Sequence, residues 1–323
     1  MDNVLYKIDK NILYKILFES DIQTILSCSQ VNKEFNRYLN INEYWLFLCT
    51  RDYLGRYKQF TEKTTIYKQM YILSYFLPQI KKYGISYDDT NVNLFEKDID
   101  EFPRGFSCLN KLKTLDLRSN NLTEVTSALS YITTLEVLIL SQNKFEKIIP
   151  SMKIICNLTN LIELDISKNK ITIIPQNIAL LLNLKKLVLS NNRIPVIPKC
   201  IQKLKKLEIL QLNDNNIKEI PIELCNLKNL LELHLHNNSI TIINKTIGKL
   251  SKLKQLYLSG NLISELPIEM TDLSNLEGLY LVKNNISGVP IEFAKLKKLK
   301  NFWLYFNKIK DIGPELEQLQ ILF

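Results

Sequence analysis

From residue 112 to residue 307, apolar positions recur at a fixed spacing ahead of an asparagine. Leu184, Leu187 and Leu189 stand eight, five and three places before Asn192. The same spacing of aliphatic or aromatic residues precedes Asn120, Asn143, Asn169, Asn215, Asn238, Asn261, Asn284 and Asn307. Successive asparagines are 23 residues apart, except for 26 between Asn143 and Asn169. Apolar residues two apart predict a short extended segment: Leu210 and Leu212 point to one face, Ile209, Gln211 and Asn213 to the other. Asn215 suits the turn that follows, because its amide can donate to and accept from backbone groups left unpaired by a bend. Ile217, Ile220, Leu224 and Leu227 then return along the outer side, with Pro221 excluding a ladder hydrogen bond there. One such coil cannot bury its apolar residues alone, so neighbouring coils must stack into a continuous core.

The pattern LxxLxLxxN with this period resembles the leucine-rich repeat. The resemblance covers residues 91–323 and about ten repeats. It implies an α/β solenoid with a parallel β-sheet on a concave face, preceded by a small all-α domain. The first coil is degenerate: Val92, Leu94, Ile99, Phe102 and Pro103 fit the template, but Lys97 takes the asparagine position. At the other end Ile309, Ile312, Leu316 and Leu319 begin another return segment, and Leu322 starts a further strand.

Residues 1–90 do not follow the repeat and read as helices. Ile8 to Leu17 is similar to the F-box opening LPxEILxxIL. Asp21, the Ile25-Leu26 pair, Val31-Asn32-Lys33-Glu34-Phe35, Trp45 and Arg51-Asp52-Tyr53 continue the F-box pattern. Asp9 stands where that family has proline and Asn11 where it has glutamate. The resemblance implies an F-box-like domain over residues 1–53, docking on a Skp-like linker protein through Ile12, Leu13, Ile16, Leu17, Ile25, Leu26 and Val31. Such docking would make the chain the substrate receptor of a Skp-cullin-F-box ubiquitin ligase. The other reading is a repeat scaffold unconnected with ubiquitin, in which residues 1–90 only cap the solenoid. Residues 54–90 form a helical connector carrying Tyr67, Tyr71 and Tyr75, and the polar stretch Ser86–Asn91 is the boundary loop. Tyrosine-rich connectors of this kind resemble those in proteins of large DNA viruses.

Positions six, four, two and one before each asparagine are expected to face away from the core and line the concave surface, where solenoids bind. At position −4 the chain reads Asp116, Ile139, Asp165, Val188, Gln211, His234, Tyr257, Tyr280 and Trp303. At position −2 it reads Arg118, Ser141, Ser167, Ser190, Asn213, His236, Ser259, Val282 and Tyr305. The amino-terminal half is mostly small, polar or acidic, whereas the carboxy-terminal half gathers both of the chain's histidines with large aromatics. His234, His236, Tyr257, Tyr280, Trp303 and Tyr305 are therefore the expected contact residues for a protein partner, since Tyr and Trp bury much area at low entropy cost. The competing account is a self-packed aromatic ladder that only stabilises the sheet. No metal is expected, because no Cys or carboxylate triad accompanies the two histidines.

The net charge of +9 is spread along the chain. Much of the excess is lysine in return segments such as Lys203-Leu-Lys-Lys and Lys295-Leu-Lys-Lys, and only six of the 42 basic residues are arginine. That distribution argues against a nucleic-acid groove, which would interleave basic and aromatic residues. No apolar run is long enough for a transmembrane helix, and no secretory signal opens the chain. The six cysteines lack CxxC pairing, so a cytoplasmic location with reduced thiols is expected. Ile247-Gly248-Lys249 lacks the upstream glycine of a phosphate loop, and the sequence carries no GxSxG, HExxH or Cys/His dyad. The expectation is a binding protein without catalysis or cofactor.

Overall fold

The structure, a computed structural model, describes residues 80–311, 313–316, 319 and 321–322. The F-box-like segment 1–53, with Ile12, Leu13, Ile16, Leu17, Ile25, Leu26 and Val31, lies outside the described residues, as does most of the connector. The chain divides into two units, residues 1–87 with 103–108, and residues 88–102 with 109–323. In the described part of the first, the Tyr83 ring meets Phe106 edge-on at 6.3 Å.

The second unit is a single parallel sheet of 11 short strands in strict chain order. They are β1 (Asn91–Asn93), β2 (Thr114–Asp116), β3 (Val137–Ile139), β4 (Glu163–Asp165), β5 (Lys186–Val188), β6 (Ile209–Gln211), β7 (Glu232–His234), β8 (Gln255–Tyr257), β9 (Gly278–Tyr280), β10 (Asn301–Trp303) and β11 (Ile321–Leu322). From β4 to β10 each residue pairs with the one 23 places on, so equivalent side chains stack in columns, as His234, Tyr257, Tyr280 and Trp303 do. The leucines at positions −8, −5 and −3, together with residues such as Ile217, Leu224 and Leu227, are fully buried and form one continuous core.

The asparagines hold the coils together. Asn215 Nδ2 donates to the carbonyls of Leu212 and Asn213 in its own coil and of Leu189 in the preceding one, at 3.0–3.2 Å. Its Oδ1 accepts the Ile194 N–H of that same preceding coil at 2.9 Å. Asn120, Asn143, Asn192, Asn238 and Asn284 repeat this arrangement, and Asn120 serves the degenerate first coil, where its Oδ1 accepts from the Lys97 and Ile99 N–H groups. Buried turns are thereby left with few unpaired backbone groups.

Three features go beyond the sequence reading. The return segments are 3-10 turns, for example Ile222–Asn226, and proline stands just before most of them: Pro175, Pro198, Pro221, Pro267 and Pro290. The fixed proline φ starts the turn there, and where Asn244 replaces proline its side chain caps the Thr246 N–H instead. The 26-residue coil spends its extra length on an α-helix, α1 (Ile148–Ile155), where its neighbours have 3-10 turns. Finally, position −1 is left-handed in coil after coil: Ser119, Gln142, Lys168, Asn191, Asp214, Asn237, Lys283 and Phe306 have φ between 51° and 58°, and Gly260 has φ 66°. Only Gly260 is free of the steric cost of this conformation. The others are held in it by the ladder, as when the Asp214 N–H donates to the His236 carbonyl at 2.9 Å.

Candidate functional site

The solvent face of the sheet changes character along its length. In the amino-terminal half four ion pairs lie along the strands and their entries. Asp116 holds Arg118 at 2.6 Å, Glu163 holds Lys186 at 2.8 Å, and at the strand entries Lys113–Glu136 and Lys185–Glu208 pair at 3.0 and 3.2 Å. The Asp116 carboxylate raises the Arg118 pKa. Asp165 turns onto the Ser167 N–H and hydroxyl at 2.9 and 2.7 Å. Val188, Ser141, Ser167 and Ser190, expected to be exposed, are buried, because these small residues are shut in by their neighbours on the sheet.

In the carboxy-terminal half the structure brings together all six contact residues expected from the sequence. The His234 ring stacks on Tyr257 with centroids 4.2 Å apart, and Tyr257 stacks on Tyr280 at 4.5 Å with an interplanar angle of 2°. Trp303 closes the row edge-on to Tyr280 at 4.9 Å, and Tyr305 stacks on Trp303 at 6.1 Å. His236 packs edge-on against both His234 and Tyr257, each at 6.3 Å. Offset and edge-on pairs of this kind stabilise by about 0.5–1.5 kcal/mol each. The self-packed ladder is thus present, and the rings are half-buried by one another, which leaves their outer edges in solvent. Gly278 makes room for this. A Cβ there would run into Gln255 Oε1 and lie 2.8–2.9 Å from the Tyr280 ring and hydroxyl, so the Tyr280 ring folds over the bare backbone of β9.

The polar groups beside the rings are unlike those of the other half. His234 Nε2 lies 3.2 Å from Glu232 Oε2, and His236 Nε2 lies 4.0 Å from Asp214 Oδ2. Burial pushes both histidine pKa values down, outweighing the carboxylates that push them up. Burial likewise raises the Tyr257 pKa, reinforced by the Tyr280 hydroxyl and Glu232. Asp214 also accepts from Asn237 Nδ2 at 2.8 Å and Asn213 Nδ2 at 2.7 Å. Phe306, at the left-handed position after Tyr305, is 73% exposed and carries Lys283 Nζ 6.0 Å above its ring.

Glu232, Asp214, Gln255, Gly278 and Phe306 were missed as site residues. Reading positions −6 and −1 across the coils, beside −4 and −2, would have exposed all five. Among the described residues no group of His, Cys, Asp and Glu is placed to hold a metal, and no helix is long and apolar enough to cross a membrane. Cys156 and Cys225 are free and buried, with the Cys156 pKa pushed up to about 12 by burial.

Family models described as leucine rich repeat match residues 111–131, 159–217 and 205–263, and a two-copy repeat model matches 274–318. The solenoid is therefore built of leucine-rich repeats. None of these matches falls on residues 1–110. Among solved structures, a leucine-rich repeat protein of Leptospira interrogans is similar at TM-score 0.60 and 29% identity, over 72% of each chain. The functional domain of InlJ from Listeria monocytogenes, which includes a cysteine ladder, is similar at TM-score 0.61 and 24% identity, over 72% of this chain and 48% of that one. The plant peptide hormone receptor RGFR1, solved in complex with RGF2, is similar at TM-score 0.56 and 27% identity, over 69% of this chain and 41% of the receptor. No curated protein matches the sequence.

Proposed function

We propose that this chain is a non-catalytic scaffold that captures a protein partner on the carboxy-terminal half of its sheet face. The observation that carries the reading is the row of ring edges from His234 to Tyr305, held rigid by stacking and open to solvent along one side. A stacked row loses little conformational entropy when covered, which is what makes Tyr and Trp effective contact residues. The resemblance to a receptor solved in complex with RGF2 supports a binding role for the solenoid. The test compares the immobilised wild-type chain with Tyr280→Ala/Trp303→Ala and Asp165→Asn variants in one cell extract, with retained proteins quantified by mass spectrometry. Proteins kept by wild type and Asp165→Asn but lost by the aromatic variant support the reading. Identical sets on all three overturn it.

A second reading adds the Skp-like linker as a partner of residues 1–53 and makes the captured protein a ubiquitination substrate. It is supported by the sequence match at Ile12, Leu13, Ile16, Leu17, Ile25, Leu26 and Val31. Mixing the purified chain with the linker and following co-elution by size exclusion tests it. Co-elution lost in a folded Leu13→Asp/Ile16→Asp variant supports it, and the absence of a complex at micromolar concentrations removes it.

A further inference from the structure

The aromatic half of the sheet face carries negative charge that no lysine or arginine among the described residues pairs with. Glu232 and Asp214 are 39% and 35% exposed, and the ion-pair partner of each is a histidine. Burial depresses both histidines, so at neutral pH they are uncharged and leave the two carboxylates uncompensated. Elsewhere on the strands Asp116 pairs with Arg118 and Glu163 with Lys186, while Asp165 accepts from the Ser167 N–H and hydroxyl. The other polar atoms of the patch add to the imbalance. Gln255 Oε1, an acceptor, and His236 Nδ1 are shut in without a hydrogen-bond partner. In a chain of net charge +9, Glu232 and Asp214 are two acidic spots beside the rings, with Lys283 the cation at the far end over Phe306.

The two carboxylates stand at opposite margins of the ring row. Glu232 opens β7 at position −6, beside the His234 ring, and Asp214 sits in the left-handed turn at position −1, beside His236. At about 3.3 Å per residue, the stretch from 232 to 236 separates the two margins by about 13 Å. Apolar ring surface continues beyond them through Trp303, Tyr305 and Phe306.

Resting on the binding role proposed above, we infer that the partner is a basic protein segment, with arginine or lysine side chains at Glu232 and Asp214 and an apolar side chain on Trp303 and Tyr305. Charge complementarity selects this occupant. An acidic segment would meet two carboxylates that no cation neutralises, and a neutral one would cover them without offsetting their charge.

The probe is a display library of random 12-residue peptides, selected on the full-length wild-type chain and read by sequencing. Enriched peptides are expected to combine basic with aromatic or aliphatic residues. Their affinity should fall about 10- to 100-fold in Glu232→Gln/Asp214→Asn and drop steeply between 50 and 500 mM salt. Both substitutions keep the side-chain shape, and unchanged thermal unfolding would show that the fold is intact. Enriched peptides that are acidic or neutral, yet depend on Tyr280 and Trp303, would overturn the basic-segment inference and leave the binding face standing. Enriched peptides indifferent to Tyr280→Ala/Trp303→Ala would overturn both.

Discussion

The two halves of the sheet share one frame and differ in what they leave unsatisfied. From Asn120 to Asn284 the same asparagine closes the same turn, and the leucines behind it are equally buried. In front, the strands around Asp116, Glu163 and Lys186 match their charges internally, whereas those around Glu232, Tyr257 and Trp303 stack rings and leave carboxylates over. A repeat protein can therefore hold its structural residues constant and write its binding properties on the alternate positions of each strand, because period-two geometry separates core from surface. The amino-terminal half shows what the face looks like when it has been made self-sufficient.

The largest expected effect tests that contrast. Tyr280→Ala/Trp303→Ala should cost about 2–4 kcal/mol of partner affinity, measured by titration of a captured partner, while Asp165→Asn/Ser167→Ala should leave it unchanged. Next comes the shared frame: Asn143→Ala and Asn284→Ala should each destabilise the fold by about 3 kcal/mol in denaturant unfolding, since each leaves several buried backbone groups unpaired. Unequal losses would show that the halves differ in the frame as well. Gly260→Ala should cost about 1–2 kcal/mol, because φ there is 66° and a Cβ would strike the Asn237 amide. The smallest effect is a pH dependence confined to the aromatic half. The folded-state pKa values of His234 and His236 lie below the unfolded value of 6.5, so the unfolded chain takes up protons first on acidification. Stability should hold above pH 6.5 and decline as pH falls below it, and His234→Gln/His236→Gln should flatten that decline in thermal scans.

The coil frame was legible in the sequence because its signal is redundant: nine asparagines in register identify the strand, the turn and the core face together. Where the signal was local, less could be read. The 26-residue interval marked an irregular coil, but nothing in Lys147-Ile148-Ile149-Pro150 announced α1, since proline in the first turn suits either helix type. The left-handed position showed only in part, through Asn191, Asp214, Asn237 and Gly260, because Gln142, Lys168, Lys283 and Phe306 are not turn formers and the ladder imposes the conformation on them. Column membership of Tyr257, Tyr280 and Trp303 followed from spacing alone. Their stacking did not, because it depends on rotamers chosen across strands and on the missing side chain at Gly278. The pairing of Glu232 with His234 runs along one strand, and reading column by column passed it by.

The asparagine bonds have a direction. Each side chain reaches back: Asn215 fixes the Ile194 N–H and the Leu189 carbonyl of the coil before it, and Asn238 does the same for Ile217 and Leu212. The side-chain latch on a coil's turn thus comes from its successor, while backbone bonds such as Asn216 N–H to the Ile194 carbonyl at 3.0 Å tie the same coils together as well. Loss of one latch should therefore show first at the N–H it held. In Asn215→Ala, amide exchange should quicken at Ile194 while Ile217, still latched by Asn238, keeps its protection.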